Sequence, residues 1–267
     1  MIMASKLANQ WILITGASSG IGAAAACAFG AEQAHLLLGA RRRDRLETVA
    51  AEAAKAGAAS VRHHTLDVSK TDSVNAFVTW LGQFTSRVDV LINNAGGAHG
   101  LDPVASAADA DWEAMIESNV TGLLRVTRAV LPFMREHPGA SILNLGSIAG
   151  RTPYEGGAMY CGCKAAELMI TRALRLELCG TGIRVGSIDP GMVETDFSLV
   201  RFKGDSQRAA KVYEGVQALT ARDIAETLVW VASRPPHICI DEMIVKPTDQ
   251  AAIYKVHRRS PPPASPR

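Results

Sequence analysis

Two side chains four residues apart, Tyr160 and Lys164, have a spacing that suits acid–base chemistry. On a helix they would lie on one face, one turn apart. A tyrosine hydroxyl has a pKa of about 10, and an ammonium about 4 Å away would favour the phenolate by on the order of 4 kcal/mol before lysine desolvation is subtracted. That would bring the tyrosine towards the working pH, where general acid–base catalysis is most efficient. Ser147, on the preceding loop, could hold a substrate oxygen, although such pairs are also common on exposed helix faces.

The segment TGASSGIG at 15–22 is a candidate phosphate-binding turn. A short apolar run at 10–14 precedes it, and an alanine-rich helical stretch follows to about residue 31. In a strand, glycine turn and helix of this kind, backbone amides approach a pyrophosphate at the positive end of the helix. The spacing is GxxxGxG rather than GxGxxG, so a purely structural turn remains an alternative. The candidate cofactor contacts here are Gly16, Ser18, Ser19, Gly20, Ile21 and Gly22.

Arginines stand where an NAD-binding chain would place an acid, about 20 residues after the glycine turn. A second predicted strand at 35–39 is followed by Arg41 and Arg42. Cations at a helix start oppose the helix dipole, so they are better explained by a bound anion such as a ribose 2′-phosphate. The sequence therefore predicts NADP(H), with a solvated charge run as the alternative. Asp67 and Val68 close the third predicted strand, where a carboxylate could reach the adenine.

Strands and helices alternate along the chain with short connections. This pattern predicts an α/β fold with a doubly wound parallel sheet of about seven strands and helices on both faces. The predicted strands are 10–14, 35–39, 61–66, 88–92, 141–145, 183–188 and 238–245, and the later helices are 44–55, 72–84, 111–134, 158–179 and 220–233, the last with Thr220 as N-cap. Residues 1–256 would form one domain, with an irregular substrate loop at about 191–213. The Pro-rich tail at 257–267 should be extended or disordered.

Composition argues against several classes of protein. The net charge is +2 with no basic patch ahead of the tail, which does not imply nucleic acid, and no apolar run approaches the 18 residues of a membrane span. The five cysteines form no CxxC pair, so we expect no disulfide framework, no metal site and a reducing compartment, the cytoplasm. The N-terminus shows no signal peptide.

Taken together, these motifs resemble the short-chain dehydrogenase/reductase family over about residues 8–250. The resemblance rests on TGASSGIG, Asp67, NNAG at 93–96, Asn119, Ser147, the YCGCK segment and PGMVET. Within the family, the chain is similar to bacterial NADP-dependent 3-hydroxy acid dehydrogenases of the serine, allo-threonine and malonic semialdehyde group. The loop between Pro190 and Phe197 looks one residue shorter than in that group, which leaves the substrate open.

The resemblance implies roles by position. Tyr160 would exchange the proton, Lys164 would lower its pKa and bind the nicotinamide ribose, Ser147 would polarise the carbonyl, and Asn119 would position a water. Further cofactor contacts would come from Asn93, Ala95, Gly96, Tyr160, Lys164, Pro190, Gly191, Val193 and Thr195. Family members pair through the helices that carry Asn119 and Tyr160, so the resemblance implies a homo-oligomer, a dimer or a tetramer.

The expected reaction is NADP-dependent hydride transfer to or from a small carbonyl or alcohol, a 3-hydroxy acid or its semialdehyde. Candidate substrate contacts are Ser147, Arg151, Tyr154, Phe197 and Arg201, and Lys203 and Arg208 are further cations in the loop. Solvated surface charge is the alternative for each cation, and core packing for Tyr154 and Phe197. Two other functions stay open: reduction of a bulkier or sulfonated aldehyde or ketone, and NADP(H) sensing without turnover. The complete Asn, Ser, Tyr and Lys set argues against the sensor.

Overall fold

A seven-stranded sheet forms the centre of the protein. The computed structural model describes residues 6–135 and 137–259. All paired strands of the sheet run parallel, in the order β3-β2-β1-β4-β5-β6-β9. Its strands are β1 (Trp11–Thr15), β2 (His35–Ala40), β3 (Ser60–Thr65), β4 (Val90–Asn93), β5 (Ser141–Leu145), β6 (Arg184–Pro190) and β9 (Glu242–Val245), while β7 (Val193–Glu194) pairs with β8 (Leu219–Thr220) and β10 (Gln250–Ala252) pairs with β11 (Lys255–Val256). The predicted doubly wound parallel sheet is confirmed.

Helices cover both faces of the sheet. They are α1 (Gly20–Ala31), α2 (Arg43–Ala56), α3 (Thr71–Leu81), α4 (Asp109–Ile116), α5 (Gly122–Val130), α6 (Ala158–Glu177), α7 (Phe197–Arg201), α8 (Ser206–Tyr213) and α9 (Ala221–Ala232). Helices α1, α2 and α9 pack on one face around Phe29, Leu46 and Leu228. Helices α3, α5 and α6 pack on the other around Phe77 and Val130. Because both faces are covered, the central strands β1 and β4 are apolar apart from Thr15 and Asn93 at their carboxyl ends.

The structure corrects three expectations from the sequence. The helix predicted at 111–134 starts at Asp109 and contains a π-helical turn, Glu117–Thr121, that separates α4 from α5. The segment predicted to be irregular holds α7 and α8, and Asp205 caps α8 by accepting a hydrogen bond from the Arg208 amide. The last sheet strand starts at Glu242 rather than 238, because the Arg184 guanidinium binds the Ile238 carbonyl and holds that segment in a loop.

The N-cap prediction at α9 agrees with the structure, which has a capping box between Thr220 and Asp223. Of the predicted tail, residues 257–259 are anchored: His257 N–H donates to the Asp249 carbonyl and Arg259 N–H to the Gly215 carbonyl. Residues 260–267 lie outside the described residues. In the described ranges, no helix is both long and apolar enough to cross a membrane, and no group of three or more His, Cys, Asp or Glu side chains is arranged to hold a metal ion.

Candidate active site

The glycine turn between β1 and α1 is held tightly against the segment that follows β4. Gly16 and Gly20 have positive φ angles of 66° and 55°, which favour glycine. A Cβ on Gly16 would lie 2.8 Å from Asn94 Nδ2. Asn94 Nδ2 donates to the carbonyls of Thr15 (2.8 Å) and Gly16 (3.2 Å), so it holds the turn in shape. Sequence reasoning missed Asn94, although its place in the NNAG motif could have indicated it.

At the carboxyl end of β2, Arg42 forms a cradle with two serines of the glycine turn. Its Nη2 donates to Ser19 Oγ at 2.6 Å and to Ser18 Oγ at 3.1 Å. Desolvation, together with the charges of Arg45 and Arg41, lowers the pKa of Arg42 against the opposing pull of Asp196. A group of positive charges beside hydroxyl donors favours an anion. The residues present therefore fit a 2′-phosphate, and no acid stands at the strand end to bind an unphosphorylated ribose.

Asp67 and Val68 follow β3, but only the aspartate offers a side chain to a ligand. Desolvation acts to raise the pKa of Asp67, but hydrogen bonds from the Ser69 hydroxyl and amide, with the charge of Arg41, bring it below its usual value. The carboxylate is therefore ionised and orders its own turn. Val68 is buried, and its side chain packs against Gly122. Only the backbone of Val68 is available to a cofactor.

Asn93, predicted to contact the cofactor, uses its side chain within the protein interior. Its Nδ2 donates to Thr127 Oγ1 (3.0 Å) and Asn144 Oδ1 (2.9 Å), and the residue is buried. Asn144 in turn donates to Thr171 Oγ1, which ties β4, β5 and α6 together. The Asn93 side chain thus stabilises the interior and does not face the cleft. Ala95 N–H donates to Thr15 Oγ1, which fixes the strand end beside the glycine turn.

Asn119 lies in the π-helical turn, which explains an asparagine in mid-helix. Its Nδ2 donates to the carbonyls of Met115 (2.8 Å) and Gly97 (2.9 Å), and its Oδ1 accepts from the Gly97 amide (3.1 Å). The side chain thereby replaces a backbone bond within the turn and joins the helix to the loop after β4. A Cβ on Gly96 would lie 2.5 Å from Asn119 Oδ1, so this close approach requires glycine.

Ser147, Tyr160 and Lys164 come together at the carboxyl end of β5 and the first turns of α6. Ser147 Oγ accepts from the Ala149 amide, and the Ser147 hydroxyl acts to lower the pKa of Tyr160. Lys164 Nζ donates to the Leu145 carbonyl at 2.6 Å and to Glu167 Oε2 at 2.7 Å. Tyr160 and Lys164 are both buried. Sequence reasoning grouped the first three residues and missed Glu167.

The electrostatics of this group differ from the expectation for an isolated Tyr and Lys pair. Burial raises the pKa of Tyr160, although Lys164 and the hydrogen bond from Ser147 act to lower it. The Glu167 carboxylate also raises the Tyr160 pKa, because its charge offsets that of Lys164. The charge of Lys164 alone is therefore not enough to bring the pKa of Tyr160 down towards neutral pH. Burial also raises the pKa of Glu167, to about 7, despite the attraction of Lys164.

Arg201, at the end of α7, reaches from the substrate loop to the candidate tyrosine. Its guanidinium carbon lies 5.7 Å from the centre of the Tyr160 ring and 5.2 Å from that of Tyr154. Nε donates to the Gly100 carbonyl (3.0 Å) and Nη2 to Tyr154 Oη (2.7 Å), while Gly100 N–H donates to the Arg201 carbonyl (2.9 Å). Within the described residues Nη1 has no hydrogen-bond acceptor. Arg201 is thus a cation with one free edge beside Tyr160.

Both polar and aromatic side chains lie near Arg201. Burial raises the pKa of Tyr154 to about 12, so this phenol stays protonated, and the Phe197 ring packs on Tyr160 with 5.5 Å between ring centres. His99, Asp102 and Asp111 line a pocket together with Tyr160 and Arg201. Sequence reasoning did not identify His99, which follows the NNAG segment closely enough to have been a candidate.

The other predicted cations are paired or stacked. Arg151, predicted to contact the substrate, has its guanidinium bonded to Asp189 (Nε to Oδ2, 2.7 Å) and Glu242 (Nη2 to Oε2, 2.6 Å). Lys203 pairs with Asp111 at 2.8 Å and is largely exposed. Arg208 stacks over the Phe202 ring, with its guanidinium carbon 4.5 Å from the ring centre.

The segment after β6 forms the far wall of the cofactor cleft. The Thr195 side chain faces the glycine turn, since a Cβ on Gly20 would lie 3.5 Å from Thr195 Cβ. Pro190 ends β6, and Gly191 lies against the Gln250 side chain, whose Oε1 accepts from the Met192 amide at 2.8 Å. Val193 pairs with Leu219 in the short β7–β8 ladder. These contacts fix the wall relative to the glycine turn.

Comparison with known proteins agrees with this geometry. A family model described as short chain dehydrogenase matches residues 10–205. An NADP-dependent 3-hydroxy acid dehydrogenase of Schizosaccharomyces pombe is 42% identical over 96% of this chain and 99% of its own. A sulfoacetaldehyde reductase of Chromohalobacter salexigens is 43% identical over 90% of this chain and 94% of its own. A solved closed form of serine dehydrogenase complexed with NADP⁺ has a TM-score of 0.87 and 37% identity, and covers 94% of this chain and 100% of that one.

These findings bear on two predictions at once. The predicted family is confirmed, and NADP(H) as the cofactor agrees with both the Arg42 cradle and the relatives that carry NADP in their names. The family model matches residues 10–205, a range that includes the glycine turn, Arg42, Ser147, Tyr160 and Lys164. The chain belongs to the short-chain dehydrogenase family and is an oxidoreductase whose cleft fits NADP(H).

Proposed function

We propose that this oxidoreductase reversibly converts a small 3-hydroxy acid to the corresponding 3-oxo compound with NADP(H). The observation that carries this proposal is Arg201, which places a cation with a free Nη1 directly beside the Tyr160 ring. A carboxylate bound there would lie a few ångströms from the group that exchanges the proton. The names of the relatives from Schizosaccharomyces pombe and Agrobacterium fabrum, an NADP-dependent 3-hydroxy acid dehydrogenase and a serine 3-dehydrogenase, support the same substrate class.

Each catalytic side chain then has a role that its contacts support. Bound NADPH supplies the hydride in reduction. Tyr160 donates its phenolic proton to the substrate oxygen in reduction and accepts it in oxidation. Ser147, whose hydroxyl acts to lower the pKa of Tyr160, binds the same oxygen and stabilises the negative charge that develops on it. Lys164 holds a positive charge beneath the tyrosine and binds the nicotinamide ribose.

In this proposal Asn119 does not contact the reacting atoms. Its side-chain amide is fully used by Met115 and Gly97, so it shapes the loop after β4 rather than binding substrate. We propose that the π-helical turn it stabilises also positions a water that leads from Lys164 to solvent. Together with Ser147, Tyr160 and Lys164, it makes up the complete catalytic set.

A second candidate substrate is a small sulfonated aldehyde. The same Arg201 edge can donate to a sulfonate as well as to a carboxylate, because both groups share one negative charge over oxygens that accept hydrogen bonds from a guanidinium. The similarity to the sulfoacetaldehyde reductase of Chromohalobacter salexigens favours this alternative specifically. A sensor without turnover is the weakest reading, because it would not require all four catalytic side chains.

The test compares kcat/KM for 3-hydroxy acids, a sulfonated aldehyde and uncharged alcohols of equal length, in the parent protein and in Arg201→Gln. Loss of one charge-assisted hydrogen bond of about 1.5–3 kcal/mol should reduce kcat/KM for the acidic substrate by roughly 10- to 100-fold. The uncharged alcohol should change far less. The matched control is Arg208→Gln, which removes a cation of the same loop that stacks on Phe202 and lies away from Tyr160.

The outcomes separate the candidates. Equal losses on acidic and uncharged substrates would show that Arg201 serves only the loop and would overturn the assignment of an acidic substrate. Preference for the sulfonated aldehyde over every hydroxy acid would select the second candidate. Absence of NADPH-linked turnover on the whole panel, with NADPH bound, would favour the sensor.

The surface supports a homo-oligomer. Apolar side chains are exposed on the helices that carry the candidate catalytic residues: Ile116 on α4, Leu124 on α5, and Met169 and Leu176 on α6. Exposed apolar side chains in such a group favour burial against a second copy. We propose a dimer or tetramer, which light scattering after size exclusion would test. The five free cysteines suit a reducing compartment such as the cytoplasm.

A further inference from the structure

Glu167 is a buried carboxylate attached to the candidate catalytic lysine. It lies on α6 one turn after Lys164, and only 2% of its surface is exposed. Its Oε2 accepts from Lys164 Nζ at 2.7 Å, while Oε1 has no hydrogen-bond partner among the described residues. A buried carboxylate with one oxygen unpaired is costly and calls for an explanation. Its hydrogen bond to the candidate catalytic residues is the one from Lys164.

The charges around Glu167 come from two elements. On α6, Tyr160 and Lys164 lie on the same side, and the Cys163 thiol also feels the Glu167 charge. From β6, Asp189 faces it and acts to raise its pKa. Lys164 is thus the only cation that binds Glu167 in the described part of the chain.

Two further groups flank Asp189 and complete the surroundings. Arg151 neutralises Asp189 from the other side, and Glu242 of β9 shares that arginine. Because Arg151 already serves these two carboxylates, it does not compensate Glu167. The charge state of Glu167 therefore depends on Lys164 and on burial.

We propose that Glu167 is a positioning residue that sets the pH range of the reaction by controlling how much of the Lys164 charge reaches Tyr160. When ionised, Glu167 fixes the Lys164 ammonium and cancels part of its field at the tyrosine. When protonated, it leaves that field uncancelled. The inference rests on the proposed function, in which Tyr160 is the group that exchanges the proton with substrate.

The direction of the effect follows from the sign of the charge. A negative Glu167 raises the pKa of Tyr160, so removal of that charge lowers it. Oxidation of the alcohol requires Tyr160 without its proton, and its rate therefore falls on the acid side of the Tyr160 pKa. In Glu167→Gln, the acid limb of kcat/KM for oxidation should move to lower pH, by about one unit.

The experiment measures pH profiles of kcat and kcat/KM for alcohol oxidation with NADP⁺ in the full-length protein. Glu167→Gln removes the charge and keeps the shape, and Glu167→Leu provides a second variant if the glutamine variant folds poorly. Glu167→Asp retains the charge and should keep the acid limb of the kcat/KM profile closer to its pH in the parent protein. The matched control is Glu177→Gln, the same chemical change at an exposed position on α6, which should leave the limb in place.

Tyr160→Phe is measured in parallel, so that failure of the proposed function can be distinguished from failure of the inference about Glu167. If it abolishes turnover while the limb stays at the parent pH in both the Gln and Leu variants, the inference is wrong and the proposed function stands. A uniform loss of kcat at every pH without movement of the limb would show a merely structural role, and would also overturn the inference. If Tyr160→Phe retains full turnover, the proposed function itself fails.

Discussion

Replacement of Arg42 by alanine should separate the two nicotinamide cofactors. In the structure, the Arg42 guanidinium is held against Ser18 and Ser19 at the carboxyl end of β2, and no acid is present there. A 2′-phosphate would accept two charge-assisted bonds from this fork, each of about 1.5–3 kcal/mol. Because the guanidinium must give up part of its bonding to the serines, we expect a net loss of about 3 kcal/mol. This corresponds to roughly 100-fold in kcat/KM for NADPH.

The assay is steady-state turnover of one carbonyl substrate with NADPH and with NADH. The Arg42→Ala variant should lose its preference for NADPH and keep its NADH activity, since the missing contact concerns only the phosphate. Arg42→Lys should fall between the two, because an ammonium keeps the charge and loses the fork. The matched control is Arg43→Ala in the same run of arginines, where the side chain is 78% exposed and pairs with Glu47.

Two results would refute this reasoning. Equal losses with NADPH and NADH would show that Arg42 shapes the glycine turn rather than binding the phosphate. A loss in Arg43→Ala as large as that in Arg42→Ala would indicate a general field effect, which rising salt should then erase.

Three further predictions concern stability and the site. Gln33 adopts φ 61° after α1, so Gln33→Gly should raise the melting temperature by about 2–4 °C, and an unchanged or lower value would show that the conformation is unstrained. Hydrogen bonds from two arginines lower the pKa of Glu242 to about 2; the stability it provides should therefore be complete above its ordinary value near 4.5 and disappear as pH falls through 2. Urea unfolding of Glu242→Gln should show a deficit of about 1 kcal/mol at pH 7 that shrinks in acid. Gly96→Ala should displace Asn119 and cut kcat at least 10-fold with the fold retained by circular dichroism, and parental kcat would contradict the close approach.

Features that depend on neighbours in sequence were predictable. The glycine turn, the Tyr160 and Lys164 spacing and the arginines after β2 are local patterns, and the parallel sheet that positions them follows from the alternation of elements. Asn119 was recognised as unusual in mid-helix, and the π-helical turn supplies the physical reason. These motifs were therefore recognisable in the sequence, while the roles of the individual site residues stay predictions.

Features that depend on partners distant in sequence could not be predicted. Arg151 was expected in the substrate pocket, but Asp189 and Glu242, which capture it, are 38 and 91 residues away in sequence. Glu167 stands three residues after Lys164, a spacing typical of a solvated ion pair, and only the packing of α6 on the sheet reveals that the pair is buried. Helix α7 is five residues long, too short for a periodic pattern to emerge.

The contacts of Arg201 have a kinetic consequence. The hydrogen bonds that its side chain and backbone form with Gly100, together with the ion pair between Lys203 and Asp111, tie the substrate loop to the segment after β4 and to α4. If the proposed acidic substrate binds behind these contacts, they must break before it can leave, and loop opening limits turnover in many enzymes. We expect cofactor deuterated at the transferred position to leave steady-state kcat unchanged and to slow a single turnover. An isotope effect of equal size in both would place the slow step at hydride transfer instead.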